Sequence, residues 1–253
     1  MSMFEIVFSP TGGTEKVSGL VTGALDGNIV TVDLTDSGLD FHGVSMAKGD
    51  VAVISVPSYA GRVPAVAVER LGMVRGNGAR AVLVCVYGGR AFEDTLIELE
   101  DVAKRAGFRV VAAVSAIAEH SVARQFAAGR PDAQDVAQLS EFAQRIRQKL
   151  LDEAASEPSI PGNRPYKQVG GHSMVPHATE DCVSCGACAA LCPVRAIDKD
   201  DPRQVDGEAC ISCMRCVSVC SQNARKLDPN KLAAVTQMLS KVCVVRKECE
   251  LFI

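Results

Sequence analysis

From residue 3 to residue 150, short β-branched apolar runs alternate with longer amphipathic stretches, the pattern of a parallel sheet covered by helices on both faces. Residues 4–8, 29–33, 51–56, 81–86 and 109–117 are predicted strands. Residues 15–24, 64–72, 92–106 and 132–151 are predicted helices, the last with Leu139, Phe142, Ile146 and Leu150 at helical spacing. Five strands with intervening helices predict a doubly wound α/β domain, built on a five-stranded parallel sheet, over residues 1–154.

The periodicity stops at Ala155. Pro158, Pro161, Gly162, Pro165, Gly170, Gly171 and Pro176 punctuate residues 155–176, which reads as an interdomain linker. Residues 177–225 hold an internal cysteine repeat and predict a second, small domain. Residues 226–253 form an extension with Leu232, Val235, Leu239 and Val242 at helical spacing, expected to pack back on one of the two modules.

Composition, with 47% apolar and 23% charged residues, is that of a folded globular protein. No apolar run approaches the ~18 residues of a membrane span. The opening stretch to Pro10 has neither the charged start nor the apolar core of a signal peptide, so a cytoplasmic protein is expected. A net charge of −3 lacks the basic footprint of a nucleic-acid binder. Neither nucleic acid nor membrane is expected as a partner, and nothing fixes the oligomeric state.

Of eleven cysteines only Cys85 precedes Cys182. In a reducing compartment such clustering signals metal binding or redox chemistry rather than disulfides. Cys182, Cys185, Cys188 and Cys192 are followed by Pro193; Cys210, Cys213, Cys216 and Cys220 are followed by Ser221. Both runs have the spacing C-x2-C-x2-C-x3-C, in which three closely spaced thiolates on a tight loop each reach a different iron of one cubane. Zinc also takes four thiolates, but zinc sites use two separated pairs rather than two runs of four.

These runs resemble those of bacterial two-cluster ferredoxins, a resemblance covering residues 177–225. It implies a pseudo-symmetric α+β domain with two [4Fe-4S] clusters, the fourth cysteine of each run serving the other cluster. Cluster one then takes Cys182, Cys185, Cys188 and Cys220, and cluster two Cys210, Cys213, Cys216 and Cys192. Two departures stand out: Met214 matches Gly186, and Ser221 replaces the expected proline. Both leave the ligands intact and bear on cluster potential. Cys85 reads as a core hydrophobe, and Cys243 and Cys249 extend neither run.

The first strand runs into Ser9, Pro10, Thr11, Gly12, Gly13 and Thr14, and then a helix. Such a loop offers hydroxyls and unpaired backbone N–H groups to a phosphate monoester. Two more loops leave the same sheet edge: Ser58, Tyr59, Ala60 and Gly61 after the third strand, and Tyr87, Gly88, Gly89, Arg90 and Phe92 after the fourth. Ligands of open α/β sheets bind at that edge. The first loop resembles the S/T-x-T-G-x-T phosphate motif of flavodoxins at Ser9, Thr11, Gly12 and Thr14, which implies FMN, with the other two loops gripping its ring. The chain has no tryptophan, so Tyr59 or Tyr87 must stack on the flavin, or the ferredoxin module covers it. Arg62 and Arg90 are candidates for FMN or for the second domain. His120 and Arg124 read as surface or interface residues rather than catalytic ones.

Together these features resemble the flavodoxin–ferredoxin fusions, or flavoferredoxins, of anaerobic bacteria and archaea. The resemblance implies electron transfer between two [4Fe-4S] clusters and FMN in anaerobic metabolism, with redox proteins as donor and acceptor. The alternative is a flavin-dependent reductase of a quinone or other small acceptor, fed by its own clusters. An iron–sulfur redox sensor is a third reading. No acid, base or nucleophile constellation stands out.

Overall fold

The apolar runs form the strands β1 (Met3–Val7), β2 (Ile29–Asp33), β3 (Val51–Pro57), β4 (Arg80–Tyr87) and β5 (Arg109–Ile117) in a computed structural model that describes residues 2–25, 28–170 and 174–253. Residues 171–173 of the linker segment, Gly171 among them, lie outside the described residues. The strands pair in the order β2-β1-β3-β4-β5, all parallel, as in β1 with β3, where Ile6 faces Ile54. Helices α1 (Gly13–Leu25), α2 (Ala65–Met73), α3 (Thr95–Arg105) and α4 (Ala133–Leu150) connect and cover them.

Alternation along each strand feeds two cores. Ala52, Ile54 and Val56 of β3 and Leu83 and Cys85 of β4 pack with Leu71 of α2 and Leu99 of α3 on one face. Val51 and Val53, with Val82 and Val84, pack on the other face with Val17 and Val21 of α1 and Leu139 and Ile146 of α4. Burial on both faces is why these strands are continuously apolar. Each such Val, Ile or Leu contributes about 1.5–3 kcal/mol. Cys85, fully buried, is one of these core residues.

The predicted sheet is one strand short. After α5 (Ala187–Ala190), α6 (Arg215–Ser218) and α7 (Pro229–Ser240), the chain returns to the α/β domain. Its segment Glu250–Phe252 pairs antiparallel with β5, Leu251 opposite Val114. With the hairpin strands His177–Ala178 (β6) and Arg225–Lys226 (β7) intervening, this sixth strand is β8. The tail before it is fastened to the start of α4. Arg246 pairs with Asp132 at 2.7 Å, Glu248 accepts from Gln134 and Gln138 at 3.0 and 2.8 Å, and Arg130 donates to the Lys247 carbonyl at 2.8 Å. Beneath it, Asp135 (0% side-chain exposure) accepts from both Nε and Nη2 of Arg130.

The segment read as a linker is bonded along α3 rather than free. The buried Asp94 carboxylate accepts from the Asn163 and Lys167 amides at 2.8 and 2.7 Å, and Arg164 pairs with Asp101 at 2.6 Å. The α/β domain and the cysteine module also meet directly. Arg195 donates to the Ser37 carbonyl at 2.7 Å, Arg70 to that of Pro193, and Arg215 to that of Pro10 at 3.3 Å.

Candidate functional site

Loops following β1, β3, β4 and β5 emerge at one edge of the sheet and line a cleft partly open to solvent. The first loop contributes Pro10, Thr11, Gly13 and Thr14. Ser9 and Gly12 are not in its wall. The Ser9 hydroxyl accepts from the Glu15 amide at 2.9 Å and so caps α1, while its own amide donates to Thr35 Oγ1 at 3.0 Å. Gly12 turns the chain with φ of 84°.

The loop after β3 supplies Ser58, Tyr59 and Ala60. Tyr59 and Arg62 exchange backbone hydrogen bonds at 2.9 and 3.1 Å, closing a two-residue turn in which Ala60 and Gly61 have φ of 53° and 87°. Gly61 stays outside the wall, its missing side chain leaving room for Glu93. A Cβ there would stand 1.9 Å from Glu93 Oε2. Gly61→Ala is expected to destabilise the fold by about 1–3 kcal/mol through left-handed strain and the displaced carboxylate, read as a lower denaturation midpoint.

From the loop after β4, Tyr87 and Gly88 line the cleft, while Gly89, Arg90 and Phe92 do not. Arg90 instead forms a two-pronged pair with Glu93, both contacts 2.9 Å. Arg90 first, with Lys167 adding, holds the Glu93 carboxyl down at about 2. Phe92 meets Tyr87 edge-on at 5.6 Å and Phe252 of β8 at 6.5 Å. Tyr87 is thereby built into the core, and half-buried Tyr59 is the aromatic side chain left to meet a planar ligand.

Sequence reasoning missed the fourth loop, where Ala118, Glu119, His120, Ser121 and Val122 complete the rim. His120 packs so closely on Gly88 that a Cβ there would lie 2.5 Å from its ring. Its Nδ1 accepts from the Val122 and Ala123 amides, both at 3.2 Å. Burial, with Arg90 nearby, lowers its pKa below the ordinary histidine value. The neutral ring therefore carries its proton on Nε2 and offers one N–H donor. Arg62 pairs with Glu98 at 2.6 Å and Arg124 with Glu119 at 2.5 Å, and neither arginine lines the cleft.

Apart from Pro57 and Val86 at strand ends, the remaining wall comes from beyond the α/β domain: Val169, Gly170 and Met174 of the connecting segment, and Ile211 and Ser212 of the second cysteine loop. Tyr59 is near enough to Cys213 that this thiol, after burial, helps push the phenol well above its ordinary pKa.

The eight repeat cysteines border two smaller cavities. Cys182, Cys185, Cys188 and Cys220 line one, and Cys192, Cys210, Cys213 and Cys216 the other. The two halves repeat in detail: Ser184 and Ser212 have φ of 52° and 53°, Arg195 and Asn223 53° and 51°. The Cys192 sulfur accepts from the Ala196 amide at 3.3 Å, and the Cys220 sulfur from the Ala224 amide at 3.2 Å. Where Gly186 adopts φ of 77°, buried Met214 adopts 63°, so the methionine keeps the left-handed turn at some cost in strain. Among the described residues no three His, Cys, Asp or Glu side chains converge as ligands of a single ion. Cys243 and Cys249 lie outside both cavities.

The strand order β2-β1-β3-β4-β5 with a cleft at its carboxyl edge is the flavodoxin-like variant of the doubly wound fold. Residues 174–236 match the family described as the 4Fe-4S dicluster domain, which gives this region an iron–sulfur, electron-transfer character. The chain thus joins a flavodoxin-like domain to a ferredoxin-type one. Among solved structures it is similar to a flavodoxin of Streptococcus pneumoniae TIGR4 (21% identity, 58% of this chain and 99% of that one, TM-score 0.41). It is also similar to oxidised flavodoxin 1 from Bacillus cereus (15%, 58% and 98%, 0.41) and to a Fusobacterium nucleatum flavodoxin bound to flavin mononucleotide (16%, 58% and 98%, 0.40). No curated protein matches. Among the described residues no helix is long and apolar enough to cross a membrane.

Proposed function

We propose that the chain is a cytoplasmic carrier that passes electrons between a redox protein partner and FMN through two [4Fe-4S] clusters. The observation that carries this reading is that Ile211 and Ser212, from the loop bearing Cys210 and Cys213, form part of the cleft wall. The clusters supply one-electron exchange and FMN links it to two-electron exchange. Thr11, Gly13 and Thr14 suit the phosphate, with the α1 N-terminus behind them. Tyr59 and Ile211 suit the ring, and His120 offers its N–H to a ring heteroatom. Cys182, Cys185, Cys188 and Cys220 would hold cluster one, and Cys192, Cys210, Cys213 and Cys216 cluster two. In that arrangement cluster two adjoins the flavin. Cluster one lies beside Val183 and Cys185, both exposed, where a partner can dock.

The test is composition of anaerobically reconstituted protein: about eight iron, eight sulfide and one FMN per chain are expected. Two zinc ions, or iron without flavin, would overturn the assignment. One observation favours a second reading, a flavin-dependent reductase of a quinone or other small acceptor: the cleft is partly open to solvent, with His120 in its wall. Steady turnover of such an acceptor faster than exchange with any redox protein would select it.

A further inference from the structure

Arg225 is only 1% exposed and is the bulkiest fully buried side chain among the described residues. It belongs to β7, placed there by pairing of Arg225 with Ala178. Nη1 donates to the Pro176 carbonyl at 3.5 Å. Nη2 donates to the Pro202 carbonyl and to Cys188 Sγ at 3.4 Å, and Nε has no acceptor. No carboxylate pairs with it among the described residues. A guanidinium cannot shed its proton, and burying one without an opposite charge is strongly unfavourable. Its charge therefore calls for an anionic partner other than a carboxylate of the described chain.

The same side chain lines the cavity of Cys182, Cys185, Cys188 and Cys220. A [4Fe-4S] core held by four thiolates is anionic and becomes more so on reduction. Positive charge and N–H donation to its sulfurs favour the reduced form. Arg215 lines the second cavity and its Nε likewise has no acceptor, but it is only half-buried, donates to the Pro10 carbonyl and reaches no cysteine sulfur with an N–H. The sulfur–amide contacts of Cys192 and Cys220 match between the halves, so the Arg225 contact on Cys188 is what breaks their symmetry. The charge of Arg225 also reaches Cys210 and Cys216, but without an N–H on either sulfur.

We propose that Arg225 is the built-in counter-cation of cluster one and holds that cluster at a higher reduction potential than cluster two. This rests on the two-cluster reading above. A single electron entering the pair then settles at the surface end, away from the flavin.

The test uses the full chain, anaerobically reconstituted, as wild type, Arg225→Met and Arg225→Lys, with iron counted and both clusters titrated by electron paramagnetic resonance. Wild type should show two resolved one-electron waves, the upper being the one lost in Cys220→Ala. In Arg225→Met the upper wave should fall by at least about tenfold in its reduction equilibrium constant, 59 mV for one electron. The lower wave should move less, and Arg225→Lys should lie between. Coincident waves in wild type, unmoved waves in a fully loaded Arg225→Met, or equal shifts of both waves would overturn the proposal and leave Arg225 a tie between two carbonyls. If Arg225→Met loses cluster one, Arg225→Lys decides. Restored iron with a lowered upper wave supports the counter-cation, and failure to restore iron refutes it. Iron well below about eight per chain in wild type would instead refute the two-cluster reading itself.

Discussion

Replacing Cys192 with alanine is expected to abolish cluster two and spare cluster one, although Cys192 belongs to the first run in sequence. Its sulfur lines the cavity shared with Cys210, Cys213 and Cys216, opposite the cavity of its own run. Three thiolates would remain where a cubane needs four, and iron should fall from about eight towards about four per chain. FMN should stay bound, since no phosphate-loop residue changes. Under the proposed two-cluster arrangement, reduction of the flavin through the clusters should stop, because the surviving cluster would be the distal one. The control is a matched set: Cys192→Ala must reproduce the spectrum of Cys213→Ala and differ from that of Cys185→Ala. A match with Cys185→Ala would mean that each run serves its own cluster.

Asp135→Ala should produce the largest loss of stability among substitutions in the α/β domain. Asp135 is fully buried, accepts two hydrogen bonds from Arg130, and receives Arg246 at 3.3 Å and the Asp132 amide at 2.9 Å. Removing one partner of a buried pair costs about 3–5 kcal/mol, because the other charge is left unpaired. That is a large part of the 5–15 kcal/mol typical of a domain. A urea denaturation curve should show a lower midpoint, and Cys249, now 6% exposed, should become open to thiol reagents. Arg130→Met in the same chain should recover part of the loss. No recovery would show that lost packing, not the orphaned charge, is responsible.

The strands and helices of the flavodoxin-like domain were legible because a sheet buried on both faces requires unbroken apolar runs, and helices on it require a 3.6-residue period. Strand β8 was not. Glu250–Phe252 is too short to show a period, and its partner β5 is distant in the chain. The cysteine spacing was legible since three of a cubane's four ligands sit together on one tight loop. Arg225 lies close in sequence to the cysteine runs, as Arg195, Arg215 and Lys226 do, but nothing in the sequence reveals that it folds inward. At the cleft, Thr11, Gly13, Thr14, Ser58, Tyr59 and Gly88 could be read from loops that follow strands. Ser9 was drawn into capping, and Arg90 and Phe92 into pairing with Glu93 and Tyr87, competitions that only the folded geometry decides. His120 was within reach of the same rule, since 118–122 follows β5 at the same sheet edge. Treating it as a lone histidine hid it. Ile211 and Ser212 were beyond reach, because their place in the wall depends on how the two domains dock.

Strand β8 also changes what kind of object the ferredoxin-type segment is. It is not hung from the end of a finished domain. It is an insertion, entering after α4 and returning its chain to the sheet at β5. A chain severed between the two cofactor regions would therefore not fall into two independent proteins. The first fragment would keep an open sheet edge at β5, a site for unwanted strand pairing, and the second would carry the strand that closes it. Through β8 the α/β domain and the cysteine module are thus tied into one structural unit rather than strung together as separable parts.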